Sequence, residues 1–290
     1  MTERTFHVDG RLVPESEATV NIRDRGFLYG DGVFETLRVY DGEIFEWEAH
    51  ADRLARSLAT LDFEETMPPV TDLRQRVLDT VAANEFADAY ARLSMTRGVQ
   101  PGKLTPESRV DPTITVIVSE LPRGGTDGDD VWDGPATLRT VETRRIPSEA
   151  LPADAKTHNY LNGTLARLDL QESDADEAIM LDTDGNVTEG ATSNLFFVDA
   201  GQLKTPSTDL DVLPGITRDV VLDLAREEGF PVETGQYSLA EVREADEAFV
   251  TNTTWEVRPV TAVDGHDVEA GPMTKLLAKL FDEYVERTHY

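Results

Sequence analysis

Of the 27 basic residues in this 290-residue chain, five are lysine: Lys103, Lys156, Lys204, Lys275 and Lys279. A lysine that is buried or flanked by cations loses its proton readily, and the neutral amine can then attack a carbonyl. Lys275 and Lys279 stand four apart in a helix-period segment and read as solvent-facing. Lys204 lies in a short strand-like stretch near a turn, and Lys103 lies in a loop. Lys156 differs: it precedes Thr157-His158-Asn159-Tyr160 in a stretch with few other charges, and it reads as opening a helix. A surface lysine is the commoner outcome for such a position, and nucleophilic catalysis is the chemical one.

Other chemistries find little support. The chain has no cysteine, which excludes disulfides, thiolate metal sites and cysteine nucleophiles. Its five histidines (His7, His50, His158, His266, His289) are scattered without a His-x-His or His-Glu-x-x-His pair, so no metal is expected. Gly98-Val-Gln-Pro-Gly102-Lys103-Leu104 is one residue short of a phosphate loop and has Leu where the magnesium ligand belongs. Gly30-Asp-Gly32-Val-Phe-Glu35 lacks the third glycine of a dinucleotide fingerprint, and no Gly-x-Ser-x-Gly elbow occurs.

Charge narrows the partners. With 56 acids against 27 bases, the formal net charge is 27 − 56 = −29. Such a surface repels nucleic acid and anionic lipid, so any anion must meet a local pocket. The composition suits an acidic, solvated shell in a salt-rich medium, where self-repulsion is screened over about 3 Å at 1 M salt. No run approaches the 18 apolar residues of a membrane span, and MTERTFHVDG has no apolar signal core, so a cytoplasmic protein is expected.

The elements that position these residues follow from pattern. Thr5 to Val13 around Asp9-Gly10, and Val33 to Phe45 around Asp41-Gly42, read as hairpins. Trp47 to Leu61 and Val70 to Asn84 carry apolar residues at helical spacing, and Tyr90 to Thr96 and Thr113 to Ser119 read as strands. The Gly- and Asp-rich stretch 123–134 reads as a linker. It divides an N-terminal α/β domain, 1–122, from a C-terminal domain, 135–290. Beyond it come strand-like Ala136 to Glu142, a helix near Leu161 to Gln171, and strand-like Ala178 to Asp182. Leu195 to Val198 is apolar, and helices follow at Ile216 to Glu228 and Pro272 to Thr288.

Six segments in order resemble the class IV aminotransferases, the fold-type IV pyridoxal-phosphate enzymes. They are Asp24-Arg-Gly-Phe-Leu-Tyr-Gly-Asp-Gly-Val-Phe-Glu-Thr-Leu-Arg38, His50-Ala-Asp-Arg53-Leu54, Lys156-Thr-His-Asn-Tyr160-Leu161, Asn186-Val-Thr-Glu189-Gly-Ala-Thr-Ser-Asn194-Leu-Phe196, Leu213-Pro-Gly-Ile-Thr217-Arg218 and Thr251-Asn-Thr-Thr-Trp-Glu-Val-Arg-Pro259-Val260. They span nearly the whole chain. The resemblance implies an α/β (α+β) fold of a small N-terminal α/β domain and a larger C-terminal domain. It also implies pyridoxal 5′-phosphate as cofactor and a homodimer in which the partner's loops complete each site.

The resemblance further implies roles. Lys156 would carry the cofactor on its ε-amine and then shuttle a proton between the substrate Cα and the cofactor C4′. Glu189 would pair with the pyridine nitrogen. Arg53, on one helical face with His50, would bind the phosphate, with the N–H groups of Ile216 and Thr217 at a helix start and the hydroxyls of Thr253 and Thr254. Tyr160 would hydrogen-bond the ring's phenolic oxygen. Tyr29, Phe34, Arg38, Tyr90 and Arg92 would line the substrate pocket.

Specificity divides the family, which includes branched-chain and D-amino-acid aminotransferases, R-selective amine transaminases and 4-amino-4-deoxychorismate lyases. Tyr90-Ala-Arg92 matches a Tyr-x-Arg pair of branched-chain enzymes, and the Arg-x-His carboxylate trap of D-amino-acid enzymes would fall on Gly102 and Leu104. Thr36 and the short Lys156 to Asn159 spacing instead resemble the D-amino-acid and lyase branches. The leading expectation is transfer between an amino acid, branched-chain or otherwise hydrophobic, and a 2-oxo acid such as 2-oxoglutarate. The alternatives are pyruvate elimination from aminodeoxychorismate, transamination of D-amino acids or R-amines, and, in another class, an inactive acidic binding protein that keeps the fold.

The acidic shell gives a first test. The thermal midpoint of the protein should rise from dilute buffer to molar salt, and an unchanged midpoint would remove the salt-adapted reading.

Overall fold

A computed structural model describes residues 3–123, 131–171 and 173–290, so most of the stretch read as a linker, residues 124–130, lies outside the described residues. The chain forms two compact units. The first takes the described residues up to Arg123 together with Ala155–Asn159 and His289–Tyr290; the second takes those up to Asp154 and Tyr160–Thr288.

In the first unit, β1 (Thr5–Val8), β2 (Arg11–Pro14), β3 (Gly32–Tyr40), β4 (Glu43–Ile44), β5 (Ala89–Thr96) and β6 (Thr113–Glu120) form one antiparallel sheet, with a short α1 (Arg25–Tyr29) before β3. Its order is β2-β1-β6-β5-β3-β4. The two hairpin turns carry Asp then Gly at positive φ: Asp9 at 46° and Gly10 at 81°, Asp41 at 44° and Gly42 at 78°. That is the type I′ geometry whose twist matches paired strands. Helices α2 (Trp47–Thr60) and α3 (Val70–Ala82) cover one face. Leu54 and Leu58 of α2 and Leu73 and Val77 of α3 pack with Val33, Leu37, Leu93 and Val116 into one core.

The second unit is a mixed nine-stranded sheet. Its strands are β7 (Ala136–Thr140), β8 (Glu177–Leu181), β9 (Val187–Gly190), β10 (Asn194–Asp199), β11 (Gln202–Pro206), β12 (Val232–Gly235), β13 (Glu247–Asn252), β14 (Glu256–Val263) and β15 (His266–Asp267). They run in the order β12-β11-β10-β13-β14-β7-β8-β9, with β15 on β14. The β11–β12, β14–β7 and β7–β8 pairs are parallel. Helices α4 (Leu161–Asp169), α5 (Ile216–Glu227), α6 (Leu239–Arg243) and α7 (Pro272–His289) complete the element order. Buried Glu247 caps α7 from β13, accepting the N–H groups of Met273 and Thr274 at 3.1 and 2.7 Å. No helix among the described residues is long and apolar enough to cross a membrane.

Gly98 shows how tightly the first unit packs. At φ +78° a Cβ there would lie 1.9 Å from the Asp111 carbonyl oxygen, whereas at Gly42, also +78°, it would meet nothing within 4 Å. Gly98→Ala should therefore cost clearly more than Gly42→Ala, with strain alone at about 1–3 kcal/mol for either. Urea unfolding measures both, and equal losses would mean that the Asp111 segment simply yields.

Candidate active site

In the first unit the candidate residues lie on and beside β3. Strand alternation sends Val33, Leu37 and Val39 into the helix-covered core and leaves Phe34, Thr36 and Arg38 on the opposite face. In register, Phe34 stands opposite Ser94, Thr36 opposite Arg92 and Arg38 opposite Tyr90. Four of the five expected substrate residues, Phe34, Arg38, Tyr90 and Arg92, thus share one sheet face. The Arg92 guanidinium lies 3.6 Å from the centroid of the Phe34 ring, and the Lys156 Nζ lies 4.5 Å from it. Arg38 is four residues beyond Phe34 on β3, on the order of 13 Å at strand spacing, and Tyr90 is two residues from Arg92 on β5. Buried Arg38 donates through Nη2 to the Pro122 carbonyl at 3.1 Å and lies 5.0 Å over Tyr40. Tyr29, at the end of α1, is 39% exposed beneath the Arg25 guanidinium. Arg25 in turn donates to the Lys103 and Leu104 carbonyls at 2.6 and 2.8 Å, tying α1 to that loop.

Lys156 was expected to open a helix; it lies instead in an extended segment, and α4 begins only at Leu161. The segment is zipped along the start of β3: Phe34 N–H donates to the Lys156 carbonyl at 3.0 Å, and His158 N–H donates to that of Gly32 at 2.7 Å. Strand pairing with a remote partner leaves no periodic trace in so short a stretch, whereas the downstream helical pattern is visible. The Lys156 N–H donates to Ser57 Oγ at 2.9 Å. Ser57, Arg53 and His50 occupy one face of α2, seven and three residues from His50.

That face meets a buried acid. Glu35 occupies a core-facing position of β3 and is 1% exposed. Its Oε1 accepts Arg53 Nε at 2.9 Å, and its Oε2 accepts Arg53 Nη2 at 2.5 Å and pairs with His50 Nδ1 at 2.7 Å. Burial works to raise the carboxyl, and the Arg53 charge with the hydrogen bonds of Arg53 and His50 overrides it, holding Glu35 at about 2. Burial, with the charges of Arg53 and Lys156, pushes His50 down against the pull of Glu35. Glu35 was not singled out from the sequence. The available signal was a lone acid in phase with the aliphatic residues of a strand.

In the second unit, Glu189 is the last residue but one of β9, and its oxygens accept from Arg145, Leu213 and Asn194. Oε1 accepts Arg145 Nε at 2.8 Å, and Oε2 accepts the Leu213 N–H at 3.0 Å and Asn194 Nδ2 at 3.4 Å. Arg145 was missed from the sequence, as were Asn194, inside a quoted motif, and Asn162, whose Oδ1 accepts the Ile146 N–H at 3.1 Å. Helix α5 starts at Ile216, with Gly215 as an extended N-cap that offers no side chain, so its first N–H groups, at Ile216 and Thr217, have no intrahelical acceptor. A Cβ on Gly215 would fall 2.0 Å from Asn194 Oδ1, so only glycine lets the helix start approach that residue. Thr253 and Thr254 form a turn after β13. The Thr254 hydroxyl donates to Asn252 Oδ1 at 3.1 Å, which commits its proton inside the turn. Tyr160 precedes α4 and is 37% exposed.

The donor chemistry fits pyridoxal phosphate. The first unit offers an amine above an aromatic ring and a buried, rigidly paired guanidinium. The second offers a carboxylate that accepts from Arg145, Leu213 and Asn194, and a twelve-residue helix start without a side-chain cap.

His158, whose ring centroid lies 6.0 Å from that of Phe34, is pushed down to about 4 by burial and by the Arg92 charge, against Asp24 and a Val33 backbone hydrogen bond. Below the unfolded value of about 6.5 the unfolded chain takes a proton that the native state refuses until about 4, so stability falls as pH drops through this window. His158→Gln should flatten the dependence of the urea midpoint on pH between 6.5 and 4. A slope equal to that of the wild type would assign the pH effect to other groups.

Comparison with known proteins agrees with this donor set. The profile of the family described as Amino-transferase class IV matches residues 32–263. The chain is 40% identical over 284 residues to a provisionally named branched-chain-amino-acid aminotransferase of Methanocaldococcus jannaschii, covering 96% of this chain and 95% of that protein. It is 34% identical over 283 residues to a D-alanine aminotransferase of Listeria innocua, covering 96% and 94%. Among solved structures, the branched-chain aminotransferase of Thermoproteus uzoniensis with norvaline superposes with a TM-score of 0.88 at 29% identity over 98% of this chain and 95% of that one. The pyridoxal-phosphate form of the Thermobaculum terrenum branched-chain enzyme gives 0.85 at 29%, covering 98% and 94%. The chain belongs to the class IV aminotransferases, fold-type IV enzymes that work with pyridoxal 5′-phosphate.

Proposed function

We propose that the protein moves an amino group between a hydrophobic, branched-chain-type amino acid and a 2-oxo acid such as 2-oxoglutarate. The observation that carries this reading is the first unit's sheet face, where the Lys156 amine and the Arg92 guanidinium both lie over the Phe34 ring. An aromatic floor suits an apolar side chain, and a guanidinium suits an acidic one. At the positions of the D-amino-acid carboxylate trap stand Gly102 and Leu104, the latter 76% exposed, which supports the branched-chain reading. The D-alanine reading stands second, because the chain is also similar to D-alanine aminotransferases.

Pyridoxal phosphate, when bound, supplies an electron sink for the carbanion at the substrate Cα. Lys156 Nζ would hold the cofactor and move the Cα proton, and Glu189 would pair with its pyridine nitrogen. Arg53, the Ile216 and Thr217 N–H groups and the Thr253 hydroxyl would bind the phosphate, the Thr254 hydroxyl joining them on leaving Asn252 Oδ1, and Tyr160 would bind the phenolic oxygen. Tyr29, Phe34, Arg38, Tyr90 and Arg92 form the substrate pocket. The domains in this reading are 1–122 and 135–290, joined by 123–134. Exposed Ile22, Phe27 and Leu104 in the first unit, and Leu161, Leu165 and Leu168 on one side of α4, support burial in a homodimer. The charge of −29 supports work in a salt-rich cytoplasm.

Lys156→Ala should lose both the visible band of lysine-bound cofactor and turnover, a drop of at least about 10³-fold as for loss of a covalent catalytic group. Turnover at the wild-type rate would refute the role of Lys156. Absorbance changes with a panel of L-amino acids, D-amino acids and R-amines then select the donor, and response to D-alanine alone would select the second reading.

A further inference from the structure

Glu35 is expensive where it stands. It interrupts the aliphatic core face of β3, is 1% exposed, and has Val33 and Leu37 two residues away on either side. A buried ion pair is often no more stabilising than apolar residues of the same volume, so stability alone gives no reason for a carboxylate here. Its geometry gives one. The two Glu35 oxygens take the Nε and Nη2 edge of the Arg53 guanidinium as a parallel pair of hydrogen bonds, at 2.9 and 2.5 Å. A planar fork gripped along that edge has one orientation, and Nη1 is aimed away from Glu35. His50, one turn earlier on α2, fixes the carboxylate through Oε2 at 2.7 Å. Ser57, one turn later, takes the backbone N–H of Lys156 at 2.9 Å. Three successive turns of one helix therefore set the carboxylate, the guanidinium and the lysine backbone in fixed spacing.

We propose that Glu35, steadied by His50, is a positioning residue that aims Arg53 at the cofactor phosphate, so that the enzyme's preference for phosphorylated over unphosphorylated pyridoxal depends on a carboxylate that touches neither. The inference rests on the reading of Arg53 as a phosphate ligand. Glu35 does not add attraction, since its charge opposes that of the phosphate. It restricts the rotamers of Arg53, so that little conformational entropy is lost on binding. In a chain of charge −29, where few long-range fields favour a dianion, a correctly aimed cation matters more than a loosely held one.

The test is the ratio of dissociation constants for pyridoxal and pyridoxal 5′-phosphate, measured by fluorescence titration of the full chain. The wild type should prefer the phosphorylated form. Arg53→Ala should lose that preference, and Glu35→Gln should lose about ten- to a hundredfold of it, the range for charge-assisted hydrogen bonds. Binding of unphosphorylated pyridoxal should be unchanged, and the double variant should be no worse than Arg53→Ala. Glu35→Asp, which keeps the charge on a shorter stem, should recover part of the ratio. If Glu35→Gln does not fold, Glu35→Asp and His50→Gln carry the test, each with a smaller loss in the same direction. A Glu35→Gln ratio equal to the wild type, or an equal loss for both ligands, overturns the positioning role. Retention of the preference by Arg53→Ala overturns instead the reading of Arg53 on which it rests.

Discussion

The backbone zipper between residues 156–158 and the start of β3 is the constraint on which the first unit's chemistry depends. Two hydrogen bonds, Phe34 N–H to the Lys156 carbonyl and His158 N–H to the Gly32 carbonyl, fix a segment more than a hundred residues removed from the strand it joins. With its backbone held there, and its own N–H taken by Ser57, Lys156 places its amine over Phe34. Ala155–Asn159 thus belongs to the first unit although the residues on both sides belong to the second. Two backbone bonds of this kind are each worth only about 1 kcal/mol net. Their effect is to remove the backbone freedom of a reactive side chain, which effective catalysis requires of any nucleophile.

A second regularity is where the scarce positive charge goes. Lysines number five and arginines 27 − 5 = 22. Six arginines, Arg25, Arg38, Arg53, Arg97, Arg218 and Arg258, are buried. Guanidinium groups tolerate this because they are weakly hydrated and satisfy several acceptors at once. Arg25 and Arg97 share Asp31 at 2.6 and 2.9 Å, and Arg258 binds Asp176 at 3.0 Å and the Gly134 carbonyl at 3.0 Å. The lysines of β11 and α7 make surface pairs, Lys204 with Asp199 and Lys279 with Glu283. The acidic excess is therefore a property of the surface, and the buried acids and bases are nearly balanced in number.

This division explains what the sequence made legible. Turn chemistry is local, so Asp9-Gly10 and Asp41-Gly42 announced their hairpins. The amphipathic spacing of α2, α3, α5 and α7 announced those helices to within a few residues at each end. The motif residues could be named because their types are constrained by chemistry. What stayed hidden depends on remote partners. The extended path of Lys156 needs β3, the short strands β9 and β12 need their neighbours, and Arg145 gains meaning only when its Nε meets Glu189 at 2.8 Å. Glu35 was quoted in a motif, yet nothing local distinguishes a buried acid paired to Arg53 from an exposed one.

The stacked Phe34 and Arg92 pair bears on how one pocket could serve two unlike substrates. Under the proposed function, a hydrophobic donor and a dicarboxylic acceptor must occupy the same site in alternate half-reactions. A buried lysine or a purely apolar wall would reject one of them, the first by desolvation of its point charge and the second by leaving a carboxylate unpaired. Arg92 is half-buried, with its guanidinium plane 3.6 Å from the ring centroid and Nε donating to Ser94 Oγ at 3.2 Å. A guanidinium in this position shows a carboxylate its donor edge, while the ring beneath it and its own aliphatic stem offer apolar surface to a branched side chain. Under the proposed function, discrimination then comes from which edge of the pair a substrate meets.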